Sequence, residues 1–209
     1  PDAPDWRNST YFDEIYHART AYEHLRGVQP YEVSHPPLGK LILSLGIALF
    51  GMTPLGWRFM GTLFGVAMLP VLWDFLRRLF HDDRIAVCGT LLFAFDFMHF
   101  TQTRIATIDT YAVFFILLMY LFLYRYCTEG KLRYLALSGL FFGIGAACKW
   151  TCLYAGAGLG VLWLLHWIFR GVADVRAGEG RAFTRALLGN IGFCLVFFVV
   201  IPCCIYYVS

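Results

Sequence analysis

The stretch Thr110–Cys127 reads TYAVFFILLMYLFLYRYC, a run of 18 residues in which Arg125 is the only charged side chain. A helix needs about 20 apolar residues to cross the hydrocarbon core of a bilayer, so this run predicts a membrane-spanning helix. Five further apolar runs surround it in the sequence: Leu55–Phe80, Arg84–Phe100, Tyr134–Cys148, Thr151–Phe169 and Leu187–Val208. The run Arg84–Phe100 spans only if it is tilted or lies in a thin region of the bilayer. We therefore predict an all-α, polytopic transmembrane helical bundle with about six spans.

The composition of the chain supports the same class of protein. Of its 209 residues, 59% are hydrophobic and 15% are charged, whereas soluble domains carry about 25% charged residues. Intrinsic disorder and nucleic-acid binding are excluded, because the chain is too apolar and its net charge of +3 is spread out without a basic run. Seven cysteines lie mostly in apolar runs, and this odd number argues against a disulfide framework.

Two regions follow from the position of the apolar runs. Residues 1–54 are polar and aromatic apart from Leu38–Phe50, which at 13 residues is too short for a straight crossing and predicts an interfacial or re-entrant helix. We expect residues 1–54 to form a first extracytoplasmic loop and residues 55–209 to form the transmembrane bundle. The chain starts at Pro1 and ends in an apolar run, so we expect it to be the N-terminal part of a longer membrane domain.

Lysine and arginine predict the orientation of the bundle, because they are enriched in cytoplasmic loops. With residues 1–54 outside, ten of the seventeen basic residues fall on the inner side, including a predicted basic loop at 170–185. Four of the others lie inside or beside apolar runs, where a charge is costly unless it is paired or functional. These four are Lys40, Arg58, Arg104 and Lys149. The same outer face receives several acids and histidines: Asp13, Glu14, His17, His35, Asp96, His99 and Asp109.

The adjacent acids Asp13 and Glu14 precede a stretch with helical spacing of apolar residues. One interpretation is a surface helix that begins with two acids, where the helix dipole favours negative charge. The other is a general base held at the membrane surface.

The motif His35-Pro36-Pro37-Leu38-Gly39-Lys40 precedes the short apolar run. Its prolines favour an extended turn that fixes the direction of His35. Lys40 falls in the first turn of the following helix, the end at which a cation gains nothing from the helix dipole. It is either a lysine that reaches to the membrane interface or, with His35, part of a phosphate-facing pair.

Three further cations and one acid lie on the same predicted face. Arg104 and Asp109 bracket a turn and could form an ion pair across it, or they could face a substrate. Lys149 follows a glycine-rich apolar run and could reach the interface or bind a phosphate. Arg58 lies near the outer end of a predicted span.

Together these residues gather carboxylates and cations at one membrane surface. That pattern suits a donor with a phosphate leaving group, which cations stabilise, and a neutral acceptor that loses a proton to a carboxylate. A secondary transporter for an anionic solute is an alternative of another class. It is less favoured because a transporter places its polar groups near the middle of the bilayer.

The motifs also resemble those of a known family. Phe12-Asp13-Glu14, His35–Lys40, Gly56-Trp57-Arg58, Thr103-Arg104 with Ile108-Asp109, and Lys149-Trp150 occur in the order seen in protein O-mannosyltransferases of the GT-C glycosyltransferase superfamily. The resemblance covers the chain from about Phe12 to Trp150. It implies a multi-spanning helical enzyme that moves mannose, or a related sugar, from polyprenyl or dolichyl phosphate to a Ser/Thr hydroxyl of a protein, with inversion. Related enzymes that glycosylate a lipid or a cell-wall polymer are the alternative.

The resemblance also implies roles for residues. Asp13 corresponds to the catalytic aspartate of the family, and Glu14 supports it. On chemical grounds we expect the remaining polar residues to bind the lipid phosphate or the substrate: His35, Lys40, Arg58, Arg104, Asp109 and Lys149. No cofactor is expected, a metal is optional, and the lipid-phosphate sugar is a substrate. The expected partners are this donor, a protein or glycan acceptor and membrane lipid. The expected location is a bacterial plasma membrane with an extracytoplasmic site, or the ER membrane in a eukaryote.

Overall fold

The computed structural model describes residues 10, 11 and 13–209. These residues form helices joined by turns and by one longer loop at residues 27–37, and the described part of the chain contains no strand. The helices are α1 (Glu14–Arg26), α2 (Leu38–Phe50), α3 (Pro54–Phe80), α4 (Asp83–Ala94), α5 (Phe97–Gln102), α6 (Asp109–Glu129), α7 (Leu132–Cys148), α8 (Thr151–Arg176), α9 (Gly180–Leu195) and α10 (Ile201–Val208). The predicted all-α fold class is confirmed, and α2 has the predicted bounds.

Among the described residues, four helical segments are long and apolar enough to cross a membrane: α3, α6, α8 and the continuous segment Gly180–Val208. These four correspond to four of the six predicted spans. Helix α7 matches the predicted span Tyr134–Cys148 but has only 17 residues, or about 26 Å at 1.5 Å per residue. Many large apolar side chains on the long helices are exposed, which is how lipid-facing surfaces differ from those of soluble domains. The chain is an integral membrane protein.

The predicted span Arg84–Phe100 is not one helix. Helix α4 ends at Ala94, and the side chain of Asp96 begins α5 by accepting a hydrogen bond from the backbone nitrogen of His99 at 2.9 Å. A polar cap inside the apolar run interrupts it, because the Asp side chain replaces the backbone partners that a continuous helix would supply. The short helix α5 then leads into the turn before α6.

The predicted basic loop at 170–185 is also mostly helical. Helix α8 continues to Arg176 and α9 starts at Gly180, which leaves a connection of three residues. Arginine is a good helix former, and its long side chain can keep its charge in water from a helix surface. Basic composition therefore does not indicate a loop at this position.

The core lies around α6, which packs against α3, α7 and α8. Close contact between α7 and the C-terminal segment depends on glycine, since a Cβ atom on Gly139 would lie 2.5 Å from the carbonyl oxygen of Phe197. In the same segment a π-helical turn, Val196–Val200, precedes Pro202. Proline lacks a backbone N–H, and a π-turn is one way to accommodate the lost helical hydrogen bond.

Candidate functional site

The two adjacent acids of the sequence motif have different environments. Glu14 lies in the first turn of α1 and is fully buried. Its carboxylate accepts two hydrogen bonds from Arg58 on α3, from Nε to Oε1 at 2.8 Å and from Nη2 to Oε2 at 2.7 Å. The backbone nitrogens of Ala106 and Tyr11 donate to the same carboxylate at 2.9 and 2.7 Å. A buried carboxylate is tolerated only with such partners.

This junction joins three separate parts of the chain: α1, α3 and the turn that carries Arg104. The turn itself rests on α3, where Thr62 Oγ1 donates to the carbonyl oxygen of Thr103 at 3.2 Å. A Cβ atom on Gly65 would lie 2.5 Å from the side chain of Thr103, so glycine permits this approach. Glu14 therefore fixes the position of α1 relative to α3 and to the turn before α6.

Asp13, by contrast, is only half-buried and occupies the N-cap position of α1. Its side chain makes no capping hydrogen bond to the helix, and it has no ion pair within the described part of the chain. The interpretation of two acids at the start of an ordinary surface helix is therefore wrong, because one acid is buried in an ion pair and the other does not cap. The pair separates into one fixed carboxylate and one accessible carboxylate.

The predicted pair His35 and Lys40 is held by an acid that the sequence analysis did not single out, Glu32. Lys40 is 1% exposed, forms an ion pair with Glu32, and donates from Nζ to the backbone oxygens of Glu32 and His35 at 2.7 and 3.1 Å. His35 Nδ1 lies 3.2 Å from Glu32 Oε1. Lys40 is therefore neither an interface lysine nor turned towards a substrate, since its ammonium fastens the loop before α2. The only signal for Glu32 was an acid close to the proline motif.

Charge within this loop cluster follows from its contacts. Burial raises the pKa of the Glu32 carboxyl, but hydrogen bonds from Lys40, Ser34 and His35 outweigh burial, and the pKa falls to about 2. His17, on α1, packs edge-on against the His35 ring with centroids 6.0 Å apart. Burial lowers the pKa of His17, because the charged imidazolium is disfavoured away from water.

The other predicted ion pair has a different partner from the one expected. Lys149 Nζ donates to Asp109 Oδ1 at 2.7 Å, which links the turn between α7 and α8 to the start of α6. The expected pair of Arg104 with Asp109 is not formed. Instead the exposed guanidinium of Arg104 lies over the ring of Phe100, with the carbon Cζ 4.5 Å from the ring centroid. The side chain of Arg104 thus points back along α5.

A groove of about 750 Å³ lies between α3 and the α4–α5 region. Its polar lining includes Arg58, Arg104 and His99, and its apolar lining includes Val66 and Leu69. On the α3 side the lining runs from Pro54 to Leu69, about 22 Å along a helix. His99 is a groove residue that the sequence placed at the correct face but did not select.

The predicted site residues therefore fall into three ionic groups. The first group contains Glu14, Arg58 and, through the groove, Arg104. The second contains His35, Lys40 and Glu32. The third contains Asp109 and Lys149. Asp13 belongs to none of them and stands at the beginning of α1 beside Glu14. Within residues 10, 11 and 13–209 no three His, Cys, Asp or Glu side chains lie close enough to hold a metal ion.

Comparison with known proteins confirms the family resemblance. The family model described as dolichyl-phosphate-mannose-protein mannosyltransferase matches residues 34–177, more than half of the chain. A polyprenol-phosphate-mannose–protein mannosyltransferase of Mycolicibacterium smegmatis is 27% identical over 229 aligned residues, which cover 95% of this chain. Proteins of the same name from Corynebacterium glutamicum and Mycobacterium tuberculosis are 28% and 32% identical over 83% and 50% of the chain.

The chain spans less than half of the length of these relatives: 43% of the M. smegmatis protein, 37% of the C. glutamicum protein and 21% of the M. tuberculosis protein. No solved structure matches it. The family match begins at residue 34, after the acid pair, and includes the proline motif, Arg58, Arg104 and Lys149. By this match the chain belongs to the dolichyl-phosphate-mannose-protein mannosyltransferase family.

Proposed function

We propose that this chain carries the donor and base residues of a membrane glycosyltransferase, which moves mannose from a polyprenyl phosphate to a Ser/Thr hydroxyl of a protein at the extracytoplasmic face. The family match and the names of the relatives support the donor and the acceptor class. Neither supports the transporter alternative.

The observation that carries the proposal is the separation of the acid pair. Glu14 is saturated by four hydrogen bonds and is fully buried, so its carboxylate has no position left for a substrate proton. The adjacent residue, Asp13, is half-buried, and its side chain makes no capping hydrogen bond to the helix. A general base must be reachable by the acceptor and held at a fixed place, and Asp13 meets both conditions because Glu14 anchors its backbone.

The groove beside this junction suits a polyprenyl phosphate. Its guanidinium and imidazole groups, from Arg58, Arg104 and His99, would face the phosphate, and the apolar α3 surface around Val66 and Leu69 would face the lipid chain. Arginine suits a phosphate because its planar donors match two oxygens at once. In this arrangement Arg104 is the main phosphate ligand, since the guanidinium of Arg58 already holds Glu14.

The reaction then follows from these positions. Asp13 accepts the proton of the acceptor hydroxyl. At the same time the oxygen of that hydroxyl forms a bond to the anomeric carbon of mannose. The bond from that carbon to the phosphate oxygen breaks on the opposite face, which inverts the configuration. The electron pair of the broken bond stays on polyprenyl phosphate, whose added negative charge is stabilised by Arg104 and its neighbours. Lys40 and Lys149 act as positioning residues through their ion pairs.

The decisive test is Asp13→Asn in the full-length protein, assayed for transfer from polyprenyl phosphate mannose to a Ser/Thr peptide. We expect kcat to fall at least about a hundredfold, the typical contribution of a general base, while binding of the donor persists. The matched control is Asp83→Asn, an exposed acid at the beginning of α4, which should leave transfer unchanged. Near-normal turnover by Asp13→Asn overturns the assignment of the base.

The class of acceptor is tested separately with the wild-type protein. Transfer to the peptide, and not to a glycolipid or a cell-wall polymer offered in its place, supports protein mannosylation. Transfer to the glycolipid or polymer, and not to the peptide, would leave the proposed donor unchanged but contradict a protein acceptor.

A further inference from the structure

A second groove lies between α8 and α9, near the chain reversal at residues 177–179. It has a volume of about 590 Å³ and is lined almost wholly by apolar side chains, among them Trp163, Trp167 and Val172 on α8 and Phe183 and Leu187 on α9. This volume falls within the range of small-molecule pockets. None of these residues takes part in the candidate site.

The walls of this groove are fixed by specific contacts. Trp163 Nε1 donates to Asn190 Oδ1 at 2.8 Å and ties α8 to α9. A Cβ atom on Gly171 would lie 2.7 Å from Phe183, so glycine allows the Phe183 ring to lie against α8. The Phe183 ring also packs on Trp167, with centroids 5.8 Å apart. The groove is therefore a shaped feature of the helix pair.

The segment at the mouth of this groove carries a net positive charge. Arg176 lines the groove, and residues 170–185 contain four arginines against one aspartate and one glutamate, a net charge of +2. Arg170 pairs with Asp174 at 3.4 Å and lies over the Trp167 ring. Arg176 forms no ion pair with any described residue, so its charge is available to an anion at the groove mouth.

From this geometry we infer a binding site for an anionic phospholipid between α8 and α9. One acyl chain occupies the apolar groove, and the phosphate of the headgroup contacts Arg176. A groove in a membrane-spanning helix pair that is almost entirely apolar is filled by hydrocarbon and not by water, and basic pockets between transmembrane helices are typical sites for anionic headgroups. In the predicted orientation this lipid belongs to the inner leaflet, opposite the end that carries Asp13.

The charge requirement is tested by purifying the protein in mild detergent, adding phosphatidylglycerol or phosphatidylcholine, and counting retained lipids by native mass spectrometry. We expect selective retention of phosphatidylglycerol. Arg176→Gln should weaken that retention about fivefold, because one basic residue near the membrane surface contributes about 1 kcal/mol to the binding of anionic lipid. Arg84→Gln, an exposed inner arginine outside the groove, should leave it unchanged. Equal retention of the two lipids, or equal loss in both variants, overturns the proposal.

The groove itself is tested by filling it. Val172→Phe should reduce retention of phosphatidylglycerol, whereas Val113→Phe should not, although both valines are 47% exposed on long helices. Unchanged retention in Val172→Phe overturns the assignment of the groove. A shift of the protein from dimer to monomer in Val172→Phe, with lipid retention intact, would assign the groove to a second copy of the chain instead. The Arg176→Gln result decides the charge requirement even if Val172→Phe does not fold.

Discussion

The two ends of the bundle carry similar numbers of charges but use them differently. At the end that holds Asp13, ion pairs connect distant segments: Arg58 with Glu14, 44 residues apart, and Lys149 with Asp109, 40 residues apart. At the opposite end, Arg78 with Asp74 and Arg170 with Asp174 join residues four positions apart on one helix. The pairs that join different helices there are either highly exposed, as for Arg77 with Asp83, or long, as for Arg78 with Glu129 at 3.9 Å. The pairs between distant segments fix how the helices pack against one another. The pairs within one helix add little to a helix that forms without them.

Burial separates the two ends in the same way. Glu14 and Lys40 are 0% and 1% exposed, whereas the side chains of Arg77 and Lys131 are 53% and 54% exposed. Removing a charge from water is costly, so a buried pair depends on both partners. An exposed pair is screened by solvent and contributes little. Substitutions at the two ends should therefore differ widely in effect, which makes the comparison testable.

The largest effect is expected at Arg58. Arg58→Met removes the partner of a fully buried carboxylate, which typically costs about 3–5 kcal/mol. We expect the free energy of unfolding to fall by about that amount, measured by denaturant titration in detergent micelles.

A double variant distinguishes the loss of the pair from the loss of packing. Adding Glu14→Gln to Arg58→Met removes the unpaired charge and should recover part of the stability, because a neutral amide is less costly to bury than a carboxylate. If the double variant is as unstable as the sum of the two single variants, the two residues are not coupled and the proposed junction is wrong.

A smaller loss is expected at Lys40. Lys40→Met removes the ion pair with Glu32 and two hydrogen bonds to the loop backbone. We expect a loss of about 3 kcal/mol, the low end for two hydrogen bonds to a charged group at about 1.5–3 kcal/mol each. Lys131→Met, at an exposed pair of the opposite end, is the matched control and should lose clearly less.

The pH dependence of unfolding gives an independent check on this lysine. The pKa of Glu32 is about 2 in the folded chain against an ordinary value of 4.5, so its stabilising contribution is complete above pH 4.5 and is lost as the pH falls from 4.5 towards 2. The wild-type chain should lose stability across this window, and Lys40→Met should lose less. Parallel curves for the two chains would contradict the proposed role of Lys40.

The sequence predicted the fold class because long apolar runs leave few alternatives in a bilayer. It failed where a single polar residue decides the local structure, as at Asp96, whose cap divides a run that composition alone treats as continuous. It also failed at 170–185, because arginine is compatible with both a loop and an exposed helix end.

For the site, the sequence predicted which charges share a face but not which partners they choose. The choice of Lys149 over Arg104 as the partner of Asp109 depends on how two turns meet after the helices pack. The role of Glu32 could not be predicted either, since its partner Lys40 follows two prolines whose turn geometry brings the two side chains together. At the opposite end, spacing along one helix accounts for the pairs of Arg78 with Asp74 and Arg170 with Asp174, which is why those pairs carry no such information.

The smallest effect is expected at the pair of Arg77 and Asp83, whose side chains are 53% and 67% exposed. Asp83→Asn should lower the free energy of unfolding by no more than about 1 kcal/mol, the sum of a weak surface pair and a favourable charge in the first turn of α4. Added salt should remove most of this small difference, because the charges are screened by water and ions. The same salt should leave the Arg58→Met deficit nearly unchanged, since its buried carboxylate is out of reach of ions. A salt-sensitive deficit at Arg58 would place that pair in the same class as the exposed ones and remove the distinction between the two ends.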